Sequence, residues 1–216
     1  MRDRTLKSDT LLPGRLNTRA VFFVYDVRLK LKKSDDALDF FQDCKEDKME
    51  NSKTSHRELN NWVDEMARLC KPERIYWCDG SDSEKEELEQ EAFRTGELIE
   101  LDQDKLPGCV LHRTAEDDVA RTEHLTYICM DNKDDAAPLN NWMSREDGYK
   151  EATEYFRGSM KGRTMYVVPF SMGPVRSPFA KYGVELTDSI YVVLNMRIMT
   201  RMGGEVLDAL GTDGEF

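Results

Sequence analysis

In this chain of 216 residues Arg121 follows Asp117-Asp118-Val119-Ala120 and stands two residues before Glu123, and an arginine is a side chain that could hold a small anion. A guanidinium stays charged at any working pH, and its planar fork meets a carboxylate bidentately in a way that lysine does not. By pattern alone, an arginine next to aspartates reads more simply as a surface ion pair that contributes little. Glu123 carries two readings as well: a solvated charge, or a residue that supports the arginine from outside direct ligand contact or meets a mobile lid.

Other chemistry-bearing groups are weaker candidates. Gly158-Ser-Met-Lys161-Gly162-Arg163-Thr164 looks like a phosphate loop, but its spacing is one residue short, Arg163 replaces the lysine, and it precedes a strand instead of following one. Lys161 and Arg163 are therefore read as structural or solvated. His56, His112 and His124 are the only histidines. The last two flank Arg121, yet no carboxylate or cysteine stands at a recognisable ligand spacing, so hydrogen-bonded or surface histidines are expected and no metal ligand is assigned. Cys44, Cys70, Cys78, Cys109 and Cys129 form no zinc pattern and no CxxC pair, which predicts reduced thiols. Cys78 and Cys129 lie in strand-like runs and are expected buried. Met196, Met199 and Met202 read as core packing.

The elements that must position these residues follow from periodicity. Leu59, Trp62, Val63, Met66 and Leu69 mark a helix from Arg57 that Pro72 stops. Ile75-Tyr-Trp-Cys78 is a short strand. Ser81 or Ser83 caps an acidic helix over Glu84 to Arg94, with Leu88 and Phe93 inward and Gly96 at its end. Leu98 to Leu101, Cys109 to His112, Leu125 to Met130, Thr164 to Phe170 and Val184 to Thr187 are strands, all expected in one sheet. Pro169 and the run Ser171-Met-Gly-Pro174 bound the fourth of these, since proline lacks a donor. Asp188 or Ser189 then caps a helix through Tyr191, Val192, Met196 and Met199, ending on Arg197 and Arg201 against the negative end of its dipole. Helix and strand alternating in this rhythm predict an α/β fold with a mixed sheet flanked by helices.

Composition excludes some partners. The net charge of −11 argues against a general nucleic-acid binder, and no apolar run is long enough to cross a bilayer. Charge is unevenly spread: residues 1 to 33 hold nine Lys or Arg against three Asp or Glu, so they carry +6 and the remainder −17. Residues 1–56 are accordingly read as a basic and then polar leader or linker, either a transit peptide or a segment foreign to the domain. Residues 57–216 are read as the folded domain.

Several blocks, in order, resemble the GTP-dependent phosphoenolpyruvate carboxykinases, in the N-terminal domain. They are Cys70-Lys-Pro-Glu-Arg-Ile-Tyr-Trp-Cys-Asp-Gly80, Asp118-Val-Ala-Arg121-Thr-Glu123, Asn140-Asn-Trp-Met143, Phe156-Arg-Gly-Ser-Met-Lys-Gly-Arg-Thr164 and the long run Lys161 to Gly203. The likeness runs from about Asn60 to Phe216. Two departures stand out: Arg176 occupies a turn position where the family usually has Gly, and Ile190 stands where Pro is usual. If that turn requires φ > 0, Arg176 costs about 1 kcal/mol.

The resemblance implies that Arg121 binds the carboxylate of oxaloacetate or phosphoenolpyruvate. It implies conversion of oxaloacetate and GTP to phosphoenolpyruvate, GDP and CO2, as in gluconeogenesis, with Mn2+ and Mg-GTP as cofactors held by residues absent from this chain. It also implies a partner domain on the C-terminal side, a monomer, and a cytoplasmic setting, or a mitochondrial one if the leader is a transit peptide. On this reading the chain carries no catalytic residue of its own and turns over nothing. The competing expectation is an inactive remnant that serves as a binding module. Apolar surface on the helix of Tyr191 to Met202 and on Val206 to Leu210 is expected to lie exposed.

Overall fold

The computed structural model describes residues 54–113 and 126–216. Residues 1–53 of the leader, Cys44 among them, and the segment holding Arg121, Glu123 and His124 lie outside the described residues.

Helix α1 spans Arg57–Cys70, and its apolar stripe buries Leu59, Val63, Ala67 and Cys70. It ends before Pro72 through Lys71 in the left-handed region. Strand β1 (Arg74–Trp77) follows, then α2 (Asp82–Thr95), capped by Ser81, whose side chain accepts the Glu84 N–H, and closed by left-handed Gly96. Of the two inward residues expected on α2, Leu88 is buried but Phe93 is 39% exposed. Ala92, four residues on from Leu88, takes the inward place, because Phe93 is a further 100° around the helix.

The main sheet is built on β6 (Thr164–Met172). Strand β1 pairs with it in parallel, Tyr76 opposite Tyr166, and β7 (Lys181–Thr187) pairs antiparallel on its other side. The short β8 (Arg201–Met202) joins β6 antiparallel beyond the end of β1. This is a mixed α/β sheet. Strand β6 does not stop at Pro169, which pairs in register with Val184. The proline falls where β6 changes neighbour: Cys78 N–H donates to Val167 O on one side of it, and Pro169 O accepts from Gly203 N–H. Its missing N–H therefore faces the gap between β1 and β8, where no ladder bond is lost.

Both faces of β6 are covered, so it reads as an unbroken apolar run. Met165 and Val167 pack with α1, Trp77 and Val184 on one face. Tyr166 and Val168 pack on the other with Leu88 and Ala92 of α2 and with Ile190, Val193 and Met196 of α4 (Ile190–Met199). Ser189 caps α4, and Arg201 lies beyond its end in β8. Met196 is buried, whereas Met199 is 63% exposed and does not serve the core. Helix α5 (Gly204–Leu210) buries Val206 and Leu210 instead of exposing them. It turns the chain back so that Leu207 and Phe216 pack onto the α1 side. The exposed apolar groups expected on α4 are present as Tyr191, Ile198 and Met199.

The remaining strands do not extend the main sheet. Strands β2 (Ile99–Glu100) and β3 (Val110–Leu111) form an antiparallel pair, and β4 (Tyr127–Cys129) and β5 (Asn141–Met143) a parallel one. The physical reason is local: β6 already has neighbours on both sides, and these two- and three-residue strands have no buried face to dock. Cys129 is accordingly exposed, although Cys78 is buried as expected.

Candidate functional site

The β2–β3 pair precedes the Arg121 segment in the chain and the β4–β5 pair follows it. On the outgoing side, β5 side chains clamp β4 at both ends. Asn141 Nδ2 donates to Thr126 O at 3.1 Å, and Trp142 Nε1 donates to Met130 O at 3.0 Å. Asn140 Nδ2 donates to Ala136 O at 2.7 Å, fixing the turn between the two strands. The Asn-Asn-Trp block therefore consists of side-chain donors for backbone carbonyls that a three-residue ladder leaves over.

Helix α3 (Arg145–Phe156) backs this pair. Ser144 caps it through the Asp147 N–H at 3.1 Å, and Arg145 in its first turn pairs with Asp131 at 3.1 Å. Gly148 lets the helix close on β4, since a β-carbon there would lie 2.7 Å from Cys129 Sγ.

On the incoming side stands His112. Its Nδ1–H donates to Glu97 O at 2.8 Å, and its ring stacks on Tyr191 with centroids 3.8 Å apart. His56, at the other end of the domain, is buried. Its Nδ1 accepts from Leu59 N–H at 3.2 Å as the cap of α1, which places the proton on Nε2 to donate to Gly214 O at 2.8 Å. Both described histidines are thus hydrogen-bonded, and among the described residues no group of three His, Cys, Asp or Glu could hold a metal ion.

The Gly158–Thr164 turn is structural in its contacts. Gly158 N–H and Met160 N–H donate to Leu69 O and Cys70 O at 2.8 and 3.0 Å, closing the end of α1. Arg163 pairs with Asp188 at 2.5 Å, and Lys161 is exposed. Burial pushes the Cys70 thiol above its usual range, so it is an inert packing group.

The family model of the phosphoenolpyruvate carboxykinase N-terminal domain matches residues 61–216. The chain belongs to that family. It is 58% identical over 163 residues to a phosphoenolpyruvate carboxykinase [GTP] of Anaeromyxobacter sp. (strain K), a match covering 76% of this chain and 27% of the relative. It is 50% identical to the proteins of the same name from Corynebacterium jeikeium over 163 residues and Chlamydia pneumoniae over 161, again 27% of each relative. The chain thus spans about a quarter of the length of the curated relatives it matches. Among the described residues, no helix of this carboxykinase N-terminal domain is long and apolar enough to cross a membrane.

Sequence reasoning reached the carboxykinase blocks but did not see what Asn141, Trp142 and Gly148 do. The only signal was indirect: two amides and an indole beside a short apolar strand, all groups that must find hydrogen-bond partners.

Proposed function

We propose that this domain supplies the substrate-carboxylate site of a GTP-dependent phosphoenolpyruvate carboxykinase, with Arg121 as the binding residue. The observation that carries the reading is the match over 61–216 to the carboxykinase N-terminal domain, within which Asp118-Val-Ala-Arg121 lies. The whole protein would convert oxaloacetate and GTP to phosphoenolpyruvate, GDP and CO2, a decarboxylation serving gluconeogenesis in the cytoplasm. Arg121 would orient the substrate by two parallel N–H···O bonds to its carboxylate. Glu123 would support the arginine or meet a lid without touching substrate.

A manganese ion, when bound, would stabilise the negative charge that decarboxylation develops on the substrate, and magnesium would accompany the GTP phosphates. On this reading the domain's own contribution is orientation of the substrate through Arg121.

Charge reversal at Arg121 tests the reading. In the full chain, Arg121→Glu is expected to abolish binding of oxalate and phosphoenolpyruvate, and Arg121→Lys to weaken it by about tenfold or more, since the bidentate geometry is lost. Unchanged affinity for either ligand in Arg121→Glu would remove the assignment.

A further inference from the structure

We propose that His56 is a pH-sensitive latch: its neutral ring ties the start of α1 to the segment that follows α5, and protonation of the ring releases both.

The backbone of His56 is fixed where it stands. Its N–H donates to Thr54 Oγ1 at 3.2 Å, its carbonyl accepts from Asn60 N–H at 3.1 Å, and the Asn60 side chain closes the loop by donating to Thr54 O at 2.9 Å. The ring itself is 1% exposed. One of its partners lies three residues along α1, and the other lies 158 residues away.

The two ring nitrogens have opposite duties. Nδ1 must be bare, because it accepts the Leu59 N–H that caps α1, and Nε2 must carry the proton, because the Gly214 carbonyl can only accept. A serine or asparagine cap keeps its acceptor at every pH, whereas a histidine cap loses it when a second proton arrives. That proton would aim Nδ1–H at the Leu59 N–H. It would also set a positive charge, out of water, against the positive end of the α1 dipole.

The segment after α5 is built to meet the ring. Gly214 N–H donates to Leu210 O at 2.9 Å, and a β-carbon on Gly214 would run into that same oxygen, so a glycine is needed to turn the carbonyl toward His56. Phe216 meets the ring edge-on, with centroids 5.3 Å apart and planes at 88°, and its own centroid lies 6.1 Å from that of Trp62 on α1. Loss of the His56 contact therefore loosens Phe216 and the first turn of α1 together.

The charged groups on the packed elements do not offset the cost of the second proton. Among the described residues they are Arg57 and Glu58 in the first turn of α1, Glu205 and Asp208 on α5, and Asp213, Glu215 and the carboxylate of Phe216 after it. The four acidic side chains beyond α1 and the two side chains on it are exposed, where solvent weakens their pull on a buried ring, and Arg57 opposes a further positive charge. Both ring nitrogens face backbone groups.

The test is amide hydrogen exchange, read residue by residue by NMR on the 216-residue chain between about pH 7.5 and pH 5.5, with the imidazole nitrogen shifts followed in parallel. At pH 7.5 those shifts should show a bare Nδ1 and a protonated Nε2. As Nδ1 takes its proton, protection of the Leu59 and Gly214 amides should fall together by at least about fivefold, the worth of one helix cap, while protection in β6 should not fall. His56→Asn supplies a cap acceptor that does not titrate, so its Leu59 and Gly214 protection should lose the pH dependence. Titration of Glu185 and His112 is common to both proteins and cancels in the comparison.

Protonation of Nδ1 that leaves both amides protected overturns the latch, as does a proton already on Nδ1 at pH 7.5. So does a fall in protection that persists in His56→Asn, or one shared by the β6 amides, which would mark acid unfolding of the whole domain. The wild-type comparison of Nδ1 with the two amides decides the matter even if the asparagine variant does not fold.

Discussion

The Asp79 carbonyl occupies the space where a β-carbon on Gly203 would sit, and Gly203 is held at φ 104°. The contact is reciprocal, because a β-carbon on Gly80 would run into the carbonyl of Met202. Gly204 N–H donates to Asp79 O at 3.0 Å, so the β1–α2 turn and the β8–α5 turn are joined backbone to backbone. Gly203→Ala is expected to cost at least about 2–4 kcal/mol, since neither backbone can yield and the φ is itself forbidding. Gly96→Ala is the control. Gly96 has φ 76° with nothing within 4 Å of its β-carbon position, so only the conformational cost of about 1 kcal/mol remains. Equal denaturant midpoints for the two variants would refute the close approach.

Arg176 adopts φ 65°, the conformation under which a glycine is the easier residue. Its backbone N–H donates to Tyr182 Oη at 2.8 Å, which holds the turn whatever the side chain. The arginine side chain is exposed and has no role in the turn's bonding. Arg176→Gly is therefore expected to stabilise the domain by about 0.5–1 kcal/mol, part of the relief being offset by the freedom glycine has in the unfolded chain. A denaturant midpoint below that of the wild type would contradict this.

The legible parts of the fold were those where one signal dominated. Gly96 closed its helix as expected, Ser81 and Ser189 were each one of two expected cap candidates, and the apolar run of β6 was long enough to be recognised as a buried strand. Ile190 occupies the first position of α4, the place where proline fits a helix best. What escaped was partner choice. Nothing local in Ile99, Val110 or Tyr127 says that their strands pair two by two instead of joining β6, and nothing around Pro169 announces a change of neighbour. Likewise Phe93 and Cys129 are apolar in type but face outward, because exposure is settled by which face a helix or strand presents. Arg121 is singled out by family resemblance and lies outside the described residues, and Asn141, Trp142 and His112 act through backbone carbonyls that a sequence does not display.

Glu84 is 2% exposed and serves as an internal cap for the β1–α2 turn. Its carboxylate accepts from Asp79 N–H at 2.6 Å and from Gly80 N–H at 3.2 Å, with Arg197 at 3.9 Å. Burial raises its pKa, against the lowering effect of those two amides. Glu84→Ala would strand the Asp79 and Gly80 N–H donors, while Arg197 keeps its pair with Asp82 at 3.2 Å, and is expected to cost about 2–3 kcal/mol. Glu84→Gln, which keeps one acceptor oxygen, should cost less than half of that. Urea unfolding of the two variants side by side checks the ranking, and an alanine variant as stable as the glutamine one would show that the amides find other partners.

Glu185 faces the same side of the sheet as its β7–β6 partner Val168. It is 5% exposed, and among the described residues its Oε1 has no hydrogen-bond partner. Burial alone pushes its carboxyl up to about 7 from an ordinary value of 4.5. The folded state therefore holds this proton more tightly than the unfolded chain does, so stability must fall as pH rises between those two values. Below about 4.5 both states are protonated and the group costs nothing. Above about 7 the whole penalty is present, up to about 3 kcal/mol and less where solvent screens the carboxylate. Glu185→Gln removes the titration while keeping the shape. Relative to wild type it is expected to be near neutral at pH 4.5 and stabilising by about 1–3 kcal/mol at pH 8. Taking the difference between the two proteins at each pH cancels the titration of every other carboxylate. A difference that stays constant from pH 4.5 to 8 would show that Glu185 ionises without penalty and that a partner meets it in solution.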